Sequence, residues 1–173
     1  MVKFEACDVI FVKKRKRPSL FGWLVRWVTK SPYSHVAYYI DGNVIFEANA
    51  NRTAGLADLS ELSDYDIKRL DLPLETRRAI LKRILATEGA GYGWGEIAAL
   101  FLRLKFGINV FYDDKRRFIC SEEIVAATLA ETGLNIVNQT TGDVSPADLW
   151  LSPYLIKAVG AAEERSINEA NVI

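Results

Sequence analysis

Two short apolar segments on either side of a turn sequence constrain the fold of this chain most strongly. Residues 34–40 and 44–48 are rich in β-branched and aromatic side chains, and Asp41-Gly42-Asn43 lies between them. Asp-Gly and Gly-Asn pairs favour the tight turns that join antiparallel strands. The pattern therefore predicts a β-hairpin, and with it an antiparallel sheet.

Further hydrophobic patterns predict the other elements. Strands are predicted at 8–13 and 66–72, and helices at 19–29, 74–88, 94–104, 121–131 and 145–150. Gly89 and Gly133 indicate helix ends, and Ser145 followed by Pro146 is typical of a helix start. Strands first and helices later indicate an α+β fold. We expect one domain over 1–160 and a loose tail over 161–173.

The composition excludes several classes of protein. Half of the 173 residues are hydrophobic, and 22 Lys and Arg balance 22 Asp and Glu. This suits a globular domain with a substantial core and gives no reason to expect a nucleic-acid partner. No apolar run reaches the length of a membrane span, and the first residues do not resemble a signal peptide. We expect a cytoplasmic or phage-encoded protein.

Three residues limit metal and thiol chemistry. The chain has two cysteines, Cys7 and Cys120, and one histidine, His35. One histidine excludes a multi-histidine zinc site, and no CxxC or HxxxH spacing is present. We therefore expect neither a metal nor another cofactor. A redox pair formed by the two cysteines is an alternative that the count leaves open.

Cys120 lies where a polar loop changes into a helix. Unpaired backbone N–H groups and the positive end of the helix dipole at such a position favour the nucleophilic thiolate. The same N–H groups are suited to bind an oxyanion. The neighbouring Glu122 and Glu123 oppose the thiolate unless they turn to solvent. A buried, inert cysteine is the alternative interpretation.

His35 begins a strand that is otherwise apolar, so its imidazole needs a polar partner or solvent. A strand histidine considered alone is more often structural. Together with the cysteine at a helix start, it forms a candidate nucleophile–base pair. In such a pair the histidine accepts the thiol proton and later donates one to the leaving group.

The register of the hairpin decides which polar residue orients His35. With a three-residue loop, His35 faces Asn49 and has Glu47 as a diagonal neighbour on the same face. With a two-residue loop, Glu47 moves to the opposite face. Either a carboxylate or an amide can hold an imidazole by accepting from one ring nitrogen. Both Glu47 and Asn49 therefore remain candidates at this point.

The order of these motifs resembles a known family of cysteine hydrolases, the circularly permuted, NlpC-like branch of the papain fold, also called YiiX-like. The likeness to the lecithin:retinol acyltransferase group is more distant. Six segments carry it, at 8–11, 34–40, 44–48, 91–94, 118–122 and 145–149. In unpermuted relatives the cysteine comes first, whereas here the histidine precedes it by 85 positions.

The resemblance implies roles residue by residue. It makes Cys120 the nucleophile, His35 the base and Glu47 the third polar residue, and it supports the three-residue loop. It also implies an antiparallel sheet or partial barrel packed against helices. Two positions depart from the family pattern: Cys7 stands where glycine is common, and Gly93 where an acidic residue is common.

Other residues are candidates for contacts with a substrate. They are Tyr33, Tyr92, Ser121, Asn49 and Asp8. Tyr33 and Tyr92 are equally suited to aromatic packing.

The basic run at 13–17 and the apolar, tryptophan-bearing stretch up to 28 have two interpretations. They predict peripheral contact with an anionic membrane, or a solvated loop followed by a core-packing helix.

The sequence thus predicts a hydrolase that cleaves a peptide, peptidoglycan-type amide or ester through a Cys120 thioester. One alternative is an acyltransferase or a lipid-directed thioesterase with the same Cys–His pair. Another is a binding module on the same fold whose site is inactive. The oligomeric state is not predicted.

Overall fold

The structure is a computed structural model and describes residues 3–17, 20–48, 53–92, 117–118, 120–137 and 144–158. Its strands are β1 Val9–Arg15, β2 His35–Asp41, β3 Val44–Glu47, β4 Gly55–Asp58, β5 Leu62–Leu70, β6 Gly91–Tyr92, β7 Arg117–Phe118 and β8 Leu155–Lys157. Its α-helices are α1 Leu20–Thr29, α2 Leu74–Leu85, α3 Glu122–Thr132 and α4 Pro146–Trp150. A 3-10 turn, Leu59–Glu61, links β4 to β5.

Six of these strands form one sheet in the order β4-β3-β2-β1-β5-β8. Every pairing in this sheet is antiparallel. The short strands β6 and β7 form a separate parallel pair. The predicted hairpin is β2 and β3, and the predicted α+β class with an antiparallel sheet is confirmed.

Strand β1 pairs with β2 and β5 along its two edges, and a hydrophobic core covers each of its faces. Val9 and Phe11 belong to the larger core, which also contains Ile80 of α2, Ile124 of α3 and Leu149 of α4. The smaller core contains Ile10, Val12, Ala37, Tyr39, Ile45, Leu59 and Leu62. Burial on both faces explains the continuous apolar run that predicted this strand. Each such side chain stabilises the fold by roughly 1.5–3 kcal/mol.

The turn of the hairpin differs from both loops that the sequence left open, Asp41-Gly42-Asn43 and Asp41-Gly42. Asp41 pairs with Val44 around a Gly42-Asn43 turn, and Gly42 has a φ of 56°, a conformation that glycine adopts without strain. A bulge at Ile40 then shifts the register, so that Tyr39 pairs with Ile45. This is the register expected for the three-residue loop, and it places His35 and Glu47 on one face.

The predicted helix boundaries are close to those observed. Helix α3 ends at Gly133, which has a φ of 72° and donates its N–H to the carbonyl of Leu129. Helix α4 begins with a capping box, in which Ser145 and Asp148 bond each other's backbone N–H groups.

Four of the observed strands, β4, β6, β7 and β8, were missed, and two, β1 and β5, were predicted too short. β4 and β8 are only four and three residues long and are mostly or partly exposed, so they carry little periodic signal. β5 begins at Leu62, four residues before the predicted start. The prediction began too late because polar residues interrupt the apolar pattern in the first half of the strand. The helix predicted at 94–104 and the tail at 161–173 lie outside the described residues.

Within the described ranges, no helix combines the length and the apolar character needed to cross a bilayer.

Candidate active site

The hairpin brings His35 and Glu47 into direct contact. His35 opens β2, Glu47 closes β3, and both side chains are buried. The Nε2 atom of His35 lies 3.0 Å from Oε2 of Glu47. The other sequence candidate for this position, Asn49, lies outside the described residues.

Arg15 is a further partner of Glu47. Its guanidinium donates to the same Oε2 atom that contacts His35, from the end of β1. Burial would raise the pKa of Glu47, but His35 and Arg15 together hold it well below its usual range. The carboxyl group is therefore ionised at neutral pH, as an orienting group for an imidazole needs to be.

Cys120 lies in the turn immediately before α3, as its sequence position predicted, and it is 2% exposed. Two hydrogen bonds fix the backbone there. The Tyr38 hydroxyl donates to the carbonyl oxygen of Cys120, and the Ser121 hydroxyl donates to the carbonyl of Val144. Since the Ser121 side chain is used in this way, it does not cap α3. The N–H groups of the first helical turn therefore lack a side-chain cap.

Cys120 interacts with the His35 imidazole. Burial would lower the pKa of His35, but the charge of the Cys120 thiolate, a hydrogen bond to it and the Glu47 carboxylate raise this pKa to about 9. Because Nε2 faces Glu47, the ring nitrogen left for the sulfur is Nδ1. The imidazole thus interacts with both Cys120 and the Glu47 carboxylate, and these interactions favour its protonated form.

From the sequence, a favourable thiolate is expected only if Glu122 and Glu123 turn to solvent. In the structure, neither side chain does. Both are buried at the start of α3. Burial raises the pKa of Glu123 to about 7, against the opposing effects of a Thr87 hydrogen bond and the His35 charge. The Thr87 hydroxyl donates to Oε1, whereas Oε2 has no hydrogen-bond partner in the described part of the chain. The raised pKa leaves Glu123 only partly ionised at neutral pH.

Tyr33 and Tyr92 were predicted either to line the cleft or to pack. Tyr33 is buried, its ring packs against Phe11 and Trp150, and its hydroxyl donates to Asp66 at 2.6 Å. Those contacts are the ones expected of a packing residue. The backbone of Tyr92 lies in β6.

Asp8, another predicted substrate contact, lies in a buried ion network. Arg69 donates to both of its carboxylate oxygens, at 2.7 and 3.0 Å, and the N–H of Glu5 donates to Oδ2. Arg77 of α2 also pairs with Glu5. The network fixes the segment before β1 against β5 and α2.

Cys7 is a free, buried thiol, and burial raises its pKa to about 12. Its φ is 66°, in the left-handed region that favours glycine. This conformation explains why glycine is common here in the family that the sequence resembles. Cys120 is also a free thiol, so this structure contains no Cys7–Cys120 disulfide.

Sequence reasoning missed the contacts of three residues around the pair: Arg15, Tyr38 and Glu123. Arg15 was interpreted as part of a basic run, although extending the predicted β1 by two residues would have placed it beside the hairpin. Tyr38 and Glu123 carry no local signal, because their contacts join residues 82 and 36 positions apart.

The fold and site together define an α+β protein with a buried cysteine, histidine and glutamate at the start of a helix and the edge of a hairpin. The crystal structure of metalloprotein YiiX from Escherichia coli O157:H7, DUF1105, has this fold, with a TM-score of 0.66 over 90% of this chain and 97% of that chain. The two sequences are 16% identical, so the likeness shows a YiiX-like fold alone. No protein-family model matches the sequence. No curated protein matches it either.

That neighbour is a metalloprotein, and a metal site needs several donor side chains around one point. Within the described ranges, no group of three or more His, Cys, Asp and Glu is placed to hold a metal ion. The Oε2 atom of Glu47 is already bonded to His35 and Arg15. The residues at this site therefore fit acid–base chemistry and do not fit a metal centre.

Proposed function

We propose that this protein is a cysteine hydrolase, with Cys120 as nucleophile and His35 as general base and acid. The observation that carries the proposal is the position of the His35 imidazole, which contacts Glu47 through Nε2 and interacts with the Cys120 thiolate. Covalent acyl chemistry requires a nucleophile, a base that contacts it and a carboxylate that orients the base. The substrate is a peptide, a peptidoglycan-type amide or an ester.

The reaction has two balanced steps. The Cys120 thiolate attacks the carbonyl carbon, and the oxyanion lies at the uncapped N-terminus of α3. His35 donates its proton to the departing amine or alcohol, which leaves a thioester. A water molecule then gives a proton to His35 and attacks the thioester, which releases the carboxylic acid and restores the thiolate.

Glu47 and Arg15 are positioning residues in this mechanism. Glu47 fixes the plane of the imidazole and stabilises its charged form, while Arg15 keeps the carboxylate ionised and in place. Neither group needs to exchange a proton during the reaction.

The proposal includes a circularly permuted papain-like fold. The chain order supports this, because β2 and β3 supply His35 and Glu47 before α3 follows Cys120. The 85 positions between the base and the later nucleophile reverse the papain order.

Acyl-enzyme formation tests the proposal. Because Cys120 is only 2% exposed, small donors are appropriate, such as p-nitrophenyl acetate and a fluorogenic alanyl amide. Intact-protein mass spectrometry should show one acyl group on Cys120 in the wild type and in Cys7→Ala. Acylation should disappear in Cys120→Ala and slow at least about a hundredfold in His35→Ala. Equal acylation of His35→Ala and wild type would overturn the assignment, and no acylation at all would favour an inactive binding module.

A lipid-directed acyltransferase or thioesterase with the same pair is a second candidate. The specific observation in its favour is the exposure of Trp23 and Trp27 on α1, beside the start of β2. Adding a primary alcohol to the ester assay separates the two activities. A transferase forms the new ester in preference to the acid, whereas a hydrolase forms the acid at an unchanged rate.

A further inference from the structure

Helix α1 presents two large aromatic side chains to solvent. Trp23 is 58% exposed and Trp27 is 50% exposed, and their rings stack with centroids 6.2 Å apart and planes 8° apart. The spacing of four residues places them on one side of the helix, and the exposed Lys30 follows the end of the helix. These three residues are called the tryptophan face below.

Contacts elsewhere on α1 hold the helix against the protein. Arg26 donates to the carbonyl oxygen of Lys13 at 2.8 Å. The backbone at Gly22 lies beside Ser34, so that a Cβ there would be 3.5 Å from the Cβ of Ser34. With the helix fixed in this way, the tryptophan face remains at the surface and lies near Ser34, the residue before His35.

The sequence segment that carries the tryptophan face is basic. From residue 9 to residue 40 the sequence contains seven Lys and Arg and no Asp or Glu, although the whole chain is neutral. Lys13 and Arg15 form salt bridges with carboxylates of other strands. Lys14, Lys16 and Arg17, just before α1, are exposed, as is Lys30 after it.

We propose that the tryptophan face, together with Lys14, Lys16 and Arg17, docks the protein onto an anionic lipid bilayer. Indole rings are amphipathic and favour the headgroup region, where two rings on one helix face insert side by side. Basic side chains that flank such a face bind anionic lipid phosphates. The protein is neutral overall, but this segment contains no acidic residue. Its charge is therefore complementary to that of an anionic bilayer. Docking places the start of β2, and therefore His35, next to the membrane.

Vesicle co-sedimentation tests the proposal with the full chain. The wild type should bind vesicles of phosphatidylcholine with about a third phosphatidylserine, and bind phosphatidylcholine alone at least tenfold more weakly. The Trp23→Ala/Trp27→Ala variant should lose at least about tenfold in binding. The Lys14→Gln/Lys16→Gln variant should lose about fivefold or more per residue, since a basic residue near the surface contributes on that order.

Matched controls separate docking from general effects. Leu56 and Leu151 are 59% and 78% exposed and lie outside α1, so Leu56→Ala/Leu151→Ala should bind like the wild type. Arg78 and Lys82 are exposed on α2, so Arg78→Gln/Lys82→Gln should also bind normally. Circular dichroism establishes that each variant is folded.

Three outcomes overturn the proposal. The first is no binding of the wild type to the anionic vesicles at low salt. The second is equal loss in the tryptophan variant and its leucine control. The third is concentration-dependent self-association that the tryptophan substitutions abolish, without any vesicle binding, which would make this face a contact between copies. Docking does not depend on the proposed catalysis, and Cys120→Ala should bind vesicles as the wild type does.

Discussion

The Nε2 atom of His35 lies 3.0 Å from Oε2 of Glu47, and the guanidinium of Arg15 reaches the same oxygen. This contact leaves the imidazole one nitrogen with which to meet Cys120. It gives the histidine a fixed orientation and a partner that favours its charged form.

Replacing Glu47 with Gln tests the orienting role. The amide keeps the size of the side chain but loses the charge, and its NH2 group allows the wrong tautomer of His35. We expect the rate of acyl transfer to fall by about 10²–10⁴, with little change in KM. The matched control is Glu61→Gln, because Glu61 also faces Arg15 but is half-exposed and is separated from it by 4.0 Å. An equal effect of the two substitutions would contradict the assignment.

The stability of the protein should decrease on the alkaline side because of His35. The folded pKa of about 9 lies above the ordinary value of 6.5. The folded state therefore holds this proton more tightly than the unfolded state does. The contribution to the free energy of unfolding is complete below pH 6.5 and is lost as the pH rises through about 9. Glu47 acts in the opposite sense, since its lowered pKa adds stability above 4.5 that is lost on acidification.

Urea unfolding across the alkaline range measures the histidine contribution. The wild type should lose more stability between pH 6.5 and 9 than His35→Gln, which cannot titrate there. Parallel curves for the two proteins would contradict the raised pKa.

Glu123 should produce a separate pH dependence at lower pH. Its pKa is raised from 4.5 to about 7, so its neutral form is the one that suits the folded state. Stability should fall as the pH rises from 4.5 through 7, because the unfolded chain loses the proton first. The titratable groups that interact with it are His35, which favours ionisation, and Tyr38, whose own pKa Glu123 helps to raise.

The isosteric Glu123→Gln variant should remove that fall. Glu75 is a matched control, because it also occupies the first turn of a helix but is exposed. The measurement is the free energy of unfolding of Glu123→Gln and of Glu75→Gln at pH 4.5 and at about pH 7. The prediction fails when Glu123→Gln retains the slope of the wild type.

Tyr38→Phe should affect both stability and the reaction. It removes the hydroxyl that donates to the buried carbonyl oxygen of Cys120 and leaves this acceptor without its partner. We expect a loss of about 1–3 kcal/mol in the free energy of unfolding, together with slower acylation. Tyr154→Phe serves as the control, because Tyr154 is exposed at the surface. Acylation at the wild-type rate in Tyr38→Phe would mean that this bond does not position Cys120.

The order of the elements could be predicted because it depends on local pattern. The apolar run of β1, the turn at Gly42 and the cap at Ser145 each act within a few residues. The pairing of His35 with Glu47 was predictable for the same reason, since a hairpin fixes which residues share a face. The register of the hairpin was ambiguous in the sequence. A bulge at Ile40 gives the hairpin the register of the longer loop although its turn is short.

The surroundings of the pair could not be predicted, because long-range packing creates them. Nothing near Arg15 in the sequence indicates that it contacts Glu47, 32 positions away. The two acidic residues after Ser121 were interpreted as opposing the thiolate unless they turned to solvent, and the packing of α3 buries both. A buried carboxyl group that stays neutral is a property of the folded protein and has no sequence signature.

The titration of the His35 ring by NMR tests the central claim most directly. The chain contains one histidine, so its imidazole signals need no assignment by mutation. The account predicts a pKa of about 9 in the wild type and a decrease of about one unit or more in Cys120→Ala, because the thiolate is a main cause of the increase. Cys7→Ala should leave the value unchanged. An identical pKa of His35 in the wild type and in Cys120→Ala would contradict the claim that His35 and Cys120 form a pair.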